Sequence, residues 1–322
     1  MASTRWPHVS CVIPVRNDAD ALPRAVDSIL GQGYPGELTV AMAVAPSQDG
    51  SAEVAEELAR SDERIEVVPN PSGGTASGLN AAIAATTGEV IARVDARSQL
   101  GEGYLTRAVR LLNEVGAVNV GGVQAAEGRT EFTRAVAAAM RSRFGAGDSR
   151  FHVGGKPGPV DTVYLGVFRR DALEAAGGFD ESLVRNQDYE LNIRLRQQGG
   201  TIYFDPGLTV TYEPRSTLRG LARQYLEYGM WKREVVRRHP GSLRWRQVIP
   251  PVAVLANLTG LALGITTRKR HALLVPLAYV MATVVASLHT GRHAPPGVTV
   301  RLPLVYATMH HAWGVGMLIG PR

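Results

Sequence analysis

The 322-residue chain has one cysteine, Cys11, which excludes a disulfide framework and a cysteine-built metal cluster. Its setting, "SCVIPV", makes it a small buried residue of an apolar strand. Acidic residues are missing beyond Glu234: the last 88 residues hold ten Lys or Arg and no Asp or Glu, whereas residues 1–234 hold 25 basic against 29 acidic. The N-terminal "MASTRWPHVS" lacks the apolar core of a signal peptide, so the first domain is expected in the cytosol. No G-x-G-x-x-G follows the first apolar run, where "PVRNDAD" stands, and "GGKPG" lacks the Ser or Thr that completes a P-loop. These absences set aside dinucleotide-dependent oxidoreductases and P-loop enzymes. A pI near 9.7 could suit nucleic acid, but no recognition motif accompanies the charge. The basic residues instead punctuate apolar segments, which fits an anionic membrane surface.

What is present in the first hundred residues is an alternation of short apolar runs with amphipathic stretches, the pattern of βαβ units and a mostly parallel sheet. "HVSCVIPV", "LTVAMAV", "RIEVVPN" and "EVIARVD" read as strands. "DADALPRAVDSIL", "AEVAEELARS" and "GLNAAIAAT" read as the helices between them, the first with Asp18 or Asp20 near its cap. In open sheets of this kind ligands bind beyond the carboxyl ends of the strands. Pro14, Val15, Arg16, Gln48, Asp49, Asn70 and Asp95 fall at those ends and are expected to line one crevice.

A helix, "YLTRAVRLLNEV", then leads through a Gly- and Ala-rich stretch to "GAGDSRFHVGGKPGPVD", where seven Gly and Pro lie between Gly145 and Pro159. This reads as a mobile connection, with residues 145–158 a candidate lid. "TVYLGVFRR" follows as a strand and "RDALEAAG" as a short helix. "NQDYELNIRLRQQGG" is a helix closed by glycines, and "TIYFDP" and "LTVTYEP" are strands of a smaller sheet. Residues 217–246 form an amphipathic basic helix, which separates a first domain, 1–216, from a hydrophobic region, 247–322. That region carries three charge-free runs of 17 to 21 residues, 247–267, 272–288 and 302–320, near the roughly 20 that cross a bilayer. If all three crossed, Arg268, Lys269 and Arg270 would lie opposite the cytosol, against the positive-inside rule. Helices lying in the cytoplasmic leaflet keep every basic loop on the anionic side.

Asp49, in "SQDGS", can accept a hydrogen bond from a uracil imide or a ribose hydroxyl, or can cap the following helix. Asp95, at a strand end, can hold a divalent metal against a diphosphate, or form a local ion pair. Asp188 and Glu190 stand at i and i+2 of one helix and face different ways. One can therefore serve as general base while the other braces the helix through Arg194. Arg97 follows Asp95 where a second carboxylate would complete a metal site; it either forks onto a diphosphate or ends its strand as a solvent-facing cation. His152, in "RFHVGG", is either a third metal ligand or a surface imidazole.

Together "VSCVIPVRND", "SQDGSAE", "NPSGGTASGLNAAI", "VIARVDARS" and "GGFDESLVRNQDYELNIRLRQQGG" resemble the family 2 glycosyltransferases over about Val9 to Pro214. Within that family the likeness is to the membrane-associated branch of succinoglycan-type glucosyltransferases. The resemblance implies a nucleotide-sugar-binding GT-A fold, mostly parallel with helices on both faces, plus C-terminal membrane-associated helices. It implies that Pro14, Val15, Arg16, Asp49, Asn70, Asn80 and Asp95 contact the nucleotide. Asp95 would be the surviving acid of the family's D-x-D site, binding Mg²⁺ or Mn²⁺, and Asp188 the catalytic base. Gln224 and Trp231 match the family's segment near acceptor and diphosphate, with altered spacing. The sequence departs from the family at Gln48 and Arg97, where acids are usual, and this puts the metal requirement in question. The implied activity is inverting transfer of a sugar from a nucleotide diphosphate, a UDP-sugar, to a hydroxyl of a lipid-linked or polysaccharide acceptor at the cytosolic membrane face. The rival is a non-catalytic nucleotide-sugar-binding scaffold, against which the retained acid of "NQDYEL" counts.

Overall fold

The computed structural model describes residues 5–267 and 270–321; Arg268 and Lys269 of the basic run lie outside them. In chain order the first elements are β1 (Val9–Val15), α1 (Leu22–Leu30), β2 (Leu38–Val44), α2 (Ser51–Ser61), β3 (Ile65–Pro69), α3 (Thr75–Ala85), β4 (Val90–Arg93), β5 (Ser98–Leu100), α4 (Tyr104–Glu114) and β6 (Asn119–Ala126). There follow α5 (Glu131–Met140), the short α6 (Arg143–Ala146) and α7 (Arg150–Val153), β7 (Gly158–Pro159), β8 (Tyr164–Arg169), α8 (Arg170–Ala175), α9 (Gln187–Gln197) and β9 (Ile202–Tyr212). The remainder is helical: α10 (Leu218–Arg238), α11 (Trp245–Thr266), α12 (Leu274–Thr290), α13 (Pro296–Thr299) and α14 (Leu302–Ile319). The chain divides into two units, 1–125 with 154–212, and 126–153 with 213–322.

The first unit is built on one nine-stranded sheet of order β3-β2-β1-β4-β8-β6-β9-β5, with β7 on β9. The β3, β2, β1 and β4 ladder is parallel, and β1 and β2 are apolar and buried almost throughout, as strands covered on both faces must be. β8 then runs antiparallel to both β4 and β6. The single β9 spans what reads in sequence as two strands, and it belongs to the main sheet rather than to a smaller one. α1 buries Leu22, Ala25, Val26 and Ile29 at the i, i+3, i+4, i+7 spacing of one helix face. Its start is not capped by an Asp side chain: the N-cap is Ala21, and Asp18 contributes its backbone carbonyl to the Ala21 and Leu22 amides.

Pro14 opens the crevice. The β1–β4 ladder pairs Val9–Val12 with Val90–Arg93, and the Val94 amide donates to the Val12 carbonyl at 3.0 Å. In a parallel ladder the next bond would run from the amide of residue 14 to the Val94 carbonyl, but proline has no N–H. β4 ends at Arg93, and Asp95 follows two residues beyond it.

The second unit is helical. Gly229 of α10 lies so close to the Trp313 carbonyl of α14 that a Cβ has no room, and the same holds for Gly316 against the Leu226 carbonyl. Glycine at both points lets α10 and α14 pack backbone to backbone. α14 buries Leu302, Val305, Tyr306 and Met309. Among the described residues two helical spans, Trp245–Thr266 and Arg270–Thr290, are long and apolar enough to cross a membrane, and both are largely uncovered. The segment 126–153, which precedes the sheet's last strands in sequence, belongs to this unit and includes two short helices where the sequence suggests a loop.

Candidate active site

The loops after β1, β2 and β4 are stitched into one rim. Asn17, in the left-handed conformation at φ 53°, donates its amide to Ser47 Oγ at 3.1 Å and accepts from the Gln48 amide at 2.9 Å. The Asp18 amide donates to Ser51 Oγ at 2.9 Å, and the Ala19 amide to Asp49 Oδ2 at 3.0 Å. Asp49 Oδ1 accepts from the Ser51 hydroxyl at 2.5 Å and the Ser51 amide at 3.1 Å. The Ser51 hydroxyl and then the Ala19 amide hold the Asp49 carboxyl below the usual carboxylate range. Both Asp49 oxygens are thus engaged in shaping the turn, but Asp49 is not the N-cap of α2: that position is Gly50, which takes φ 82° as the turn requires.

Arg97 closes the rim from the third loop. Its Nε donates to Asp18 Oδ1 at 2.5 Å and its Nη2 to the Asn17 carbonyl at 3.3 Å. Arg16 donates to the Gly73 carbonyl at 3.2 Å. Asn70 is buried, and its side chain is consumed within its own turn, donating to the Gly74 carbonyl and accepting from Ser72 and Ser77. Asn80, on α3, accepts from the Phe179 amide at 2.9 Å and donates to the Phe179 carbonyl at 2.8 Å. It therefore anchors the loop that leads to α9.

α9 presents Asp188 in its first turn, after Asn186 at φ 63°; asparagine tolerates that left-handed conformation better than most residues. Asp188 is half-buried, and its Oδ1 accepts from the Tyr189 amide at 2.8 Å. Glu190 is buried and takes the bracing role: Arg194 donates to Glu190 Oε1 at 2.8 Å and to Oε2 at 2.7 Å. The same guanidinium reaches the carbonyls of Gly178, at 2.8 Å, and Ala176. Glu190 is thus spent on Arg194, whereas the Asp188 charge acts on Arg93.

Asp95 and Asp188 meet over a residue the sequence reading missed. Arg93 ends β4 with 8% exposure, and its Nε donates to Asp95 Oδ1 at 3.0 Å. Its guanidinium lies 5.8 Å from the centre of the Phe179 ring. Burial alone would lower the Arg93 pKa, and the negative charges of Asp95 and Asp188 outweigh that effect and hold it above its ordinary value. Tyr164 lines the same place, its hydroxyl 2.9 Å from Ser98 Oγ. Burial and then the Asp95 charge push its pKa well up. The sequence did carry a signal for Arg93. A cation within a four-residue apolar strand, two positions before a strand-end acid, shares that acid's face of the sheet.

The remaining predicted residues lie in the second unit. Gln224 and Trp231 sit on α10, with Gln224 Nε2 donating to the Tyr228 hydroxyl at 2.9 Å. His152 lies in α7 with Nδ1 shut from solvent and without a hydrogen-bond partner. Burial, then the nearby Arg246 charge, lowers its pKa to about 4. Among the described residues no group of three or more His, Cys, Asp or Glu side chains is placed to hold a metal ion. Asp95, with one oxygen on Arg93 and its side chain 35% exposed, fits the mode in which a cation rests on one carboxylate and is completed by phosphate oxygens and water.

Comparison with known proteins shows the family and the fold. The model of the family described as "Glycosyl transferase family 2" matches residues 10–177, over half of the chain. The succinoglycan biosynthesis protein ExoA of Rhizobium meliloti (strain 1021) is 28% identical over 310 residues, covering 95% of this chain and 92% of that one. Among solved structures, the mannosyltransferase PcManGT from Pyrobaculum calidifontis, in complex with GDP-Man and Mn²⁺, aligns with a TM-score of 0.63 at 19% identity, over 98% of this chain and 87% of that one. S. aureus TarS 1-349 in complex with UDP aligns with a TM-score of 0.52 at 13% identity, over 97% and 90%. Both are likenesses of fold, and the fold is of GT-A type. With a strand-end acid and a helix-borne acid at one crevice, the chain belongs to glycosyl transferase family 2.

Proposed function

We propose that this glycosyltransferase inverts configuration while moving a sugar from a UDP-sugar to a hydroxyl of a lipid-linked or polysaccharide acceptor at the cytosolic face of the membrane. The observation that carries this reading is the placement of Asp95 and Asp188 about the buried guanidinium of Arg93. Asp188 accepts the acceptor's hydroxyl proton as that oxygen bonds to the anomeric carbon. The bond from that carbon to the diphosphate breaks on the opposite side, so configuration inverts and the nucleoside diphosphate leaves. A divalent cation held by Asp95 and the phosphates would neutralise the charge of the leaving diphosphate. The rim of Asn17, Asp18, Ser47, Asp49 and Arg97 holds the nucleotide loops in a fixed shape before donor arrives, which avoids an ordering cost on binding.

The UDP assignment is supported by the likeness to TarS, and PcManGT, solved with GDP-Man and Mn²⁺, supplies the competing nucleotide and the cation. Membrane attachment is supported by α11 and α12, whose leucines and valines are widely exposed, and by the absence of acid after Glu234. The test is calorimetry of UDP and of GDP on purified protein, with Mn²⁺ and with chelator, beside transfer of labelled sugar into lipid extract. The expected result is UDP binding strengthened by Mn²⁺, and transfer that D188N reduces by at least about 10²-fold with UDP affinity kept. Tighter binding of GDP would reassign the donor, and UDP binding without turnover would favour the scaffold. A fully active D188N would remove Asp188 as base.

A further inference from the structure

Arg93 is not paired as the two arginines at the β8–α8 junction are. Arg169 gives its donors to the Ala117 and Leu112 carbonyls, and Arg170 to those of Gly88 and Ile83. Those two are braces of the backbone. Arg93 makes one directed bond, to Asp95 Oδ1, lies against the Phe179 ring, and keeps a buried Nη1 that has no hydrogen-bond partner. Removing a guanidinium from water is costly unless charge compensates it, and the compensation comes from two carboxylates, one just beyond β4 and one on α9.

We propose that Arg93 is a positioning residue that fixes the Asp95 carboxylate through its Nε–H and acts as the shared counter-ion of Asp95 and Asp188, coupling the donor side of the site to the acceptor side. This rests on the roles given above to those two acids. Without the guanidinium the two carboxylates repel and Asp95 loses the donor that sets its rotamer. Phe179 contributes by closing the far side of the cation, and its loop is held by Asn80.

A thermal double-mutant cycle on the full chain in detergent tests the coupling without substrate. D188N and D95N are each expected to lower the melting temperature in the wild-type background, where each strands part of a buried cation. In the R93M background each is expected to leave it unchanged or raise it. Equal shifts in both backgrounds overturn the proposal. If R93M fails to fold, R93K carries the same cycle with smaller expected differences. Turnover supplies the second readout: R93K should lose about tenfold in kcat and R93M about a hundredfold, the scale of a slightly misplaced catalytic group, with the acceptor KM within about threefold. A brace of the fold alone would lower the amount of active protein and leave kcat per folded molecule intact. Should D188N turn over normally while the thermal coupling persists, the assigned base fails and the Arg93 coupling stands.

Discussion

Arg97 donates to Asp18 across 2.5 Å and so ties the turn after β4 to the loop after β1. The guanidinium that stands where the family has a second acid is therefore already engaged on a carboxylate and on the Asn17 carbonyl. With 47% of its side chain exposed, the pair is a surface latch, which is worth roughly 0.2–1 kcal/mol. R97A and D18N should each weaken UDP binding by less than about fivefold, on that same scale, and the double variant by no more than either single one. Calorimetry decides it: a loss in R97A at least about tenfold beyond that in D18N would mean that the arginine holds phosphate directly.

Glu190 separates stability from chemistry on the same helix. Its carboxylate is buried and held by Arg194, which also ties down the Gly178 and Ala176 carbonyls. E190Q leaves that guanidinium without its charge partner, and breaking a buried pair costs about 3–5 kcal/mol; with Arg194 22% exposed the lower end is expected. Thermal unfolding should show the loss. The kcat of the folded fraction should fall far less than in D188N, and a larger loss in E190Q would exchange the roles of the two acids.

These contrasts show what the sequence could and could not carry. β1 and β2 were legible because parallel strands buried on both faces are unbroken apolar runs ending at turn residues, and that Asp188 and Glu190 face different ways was legible from helical spacing. β6 was not legible: "NVGGVQAA" places two glycines in a strand, which lowers strand preference. The structure needs Gly122 there because the Leu208 carbonyl lies where a Cβ would stand. α5 was hidden in an Ala-rich stretch whose start is set by a Thr130–Thr133 capping pair. The Arg97–Asp18 and Arg93–Asp188 relationships join residues far apart in sequence, and no local period reports them. β9 read as two strands because "DPG" interrupts it, yet Asp205 accepts from the Gly207 amide at 2.7 Å and from Arg107 at 3.0 Å, and the strand continues.

His152 gives the second unit a pH dependence of predictable sign. Its folded pKa is pushed down to about 4 by burial and by Arg246, while an unfolded histidine titrates near 6.5. Between those values the unfolded chain binds the proton and the folded one does not, so stability falls as pH drops from about 6.5 towards 4. H152F should flatten that part of the melting-temperature profile. A profile identical to wild type would mean that the ring reaches water and titrates normally.

Membrane contact can be tested on the uncovered faces of α11 and α12. Val252, Leu258 and Val280 are each more than half exposed, and Trp245, 70% exposed between Arg244 and Arg246, suits an interfacial anchor. On a surface facing water, changing such residues to glutamate alters stability by no more than about 0.5 kcal/mol. In lipid each charge costs about 2.5–3.5 kcal/mol at mid-depth. The triple variant V252E/L258E/V280E should therefore leave the membrane fraction after a carbonate wash, while Q197E, on α9 of the first unit, should fractionate as wild type. Retention of the triple variant at wild-type level would place these helix faces against something other than lipid. Attachment would then have to come from the amphipathic α10, whose basic residues would make it sensitive to salt, as an inserted apolar pair is not.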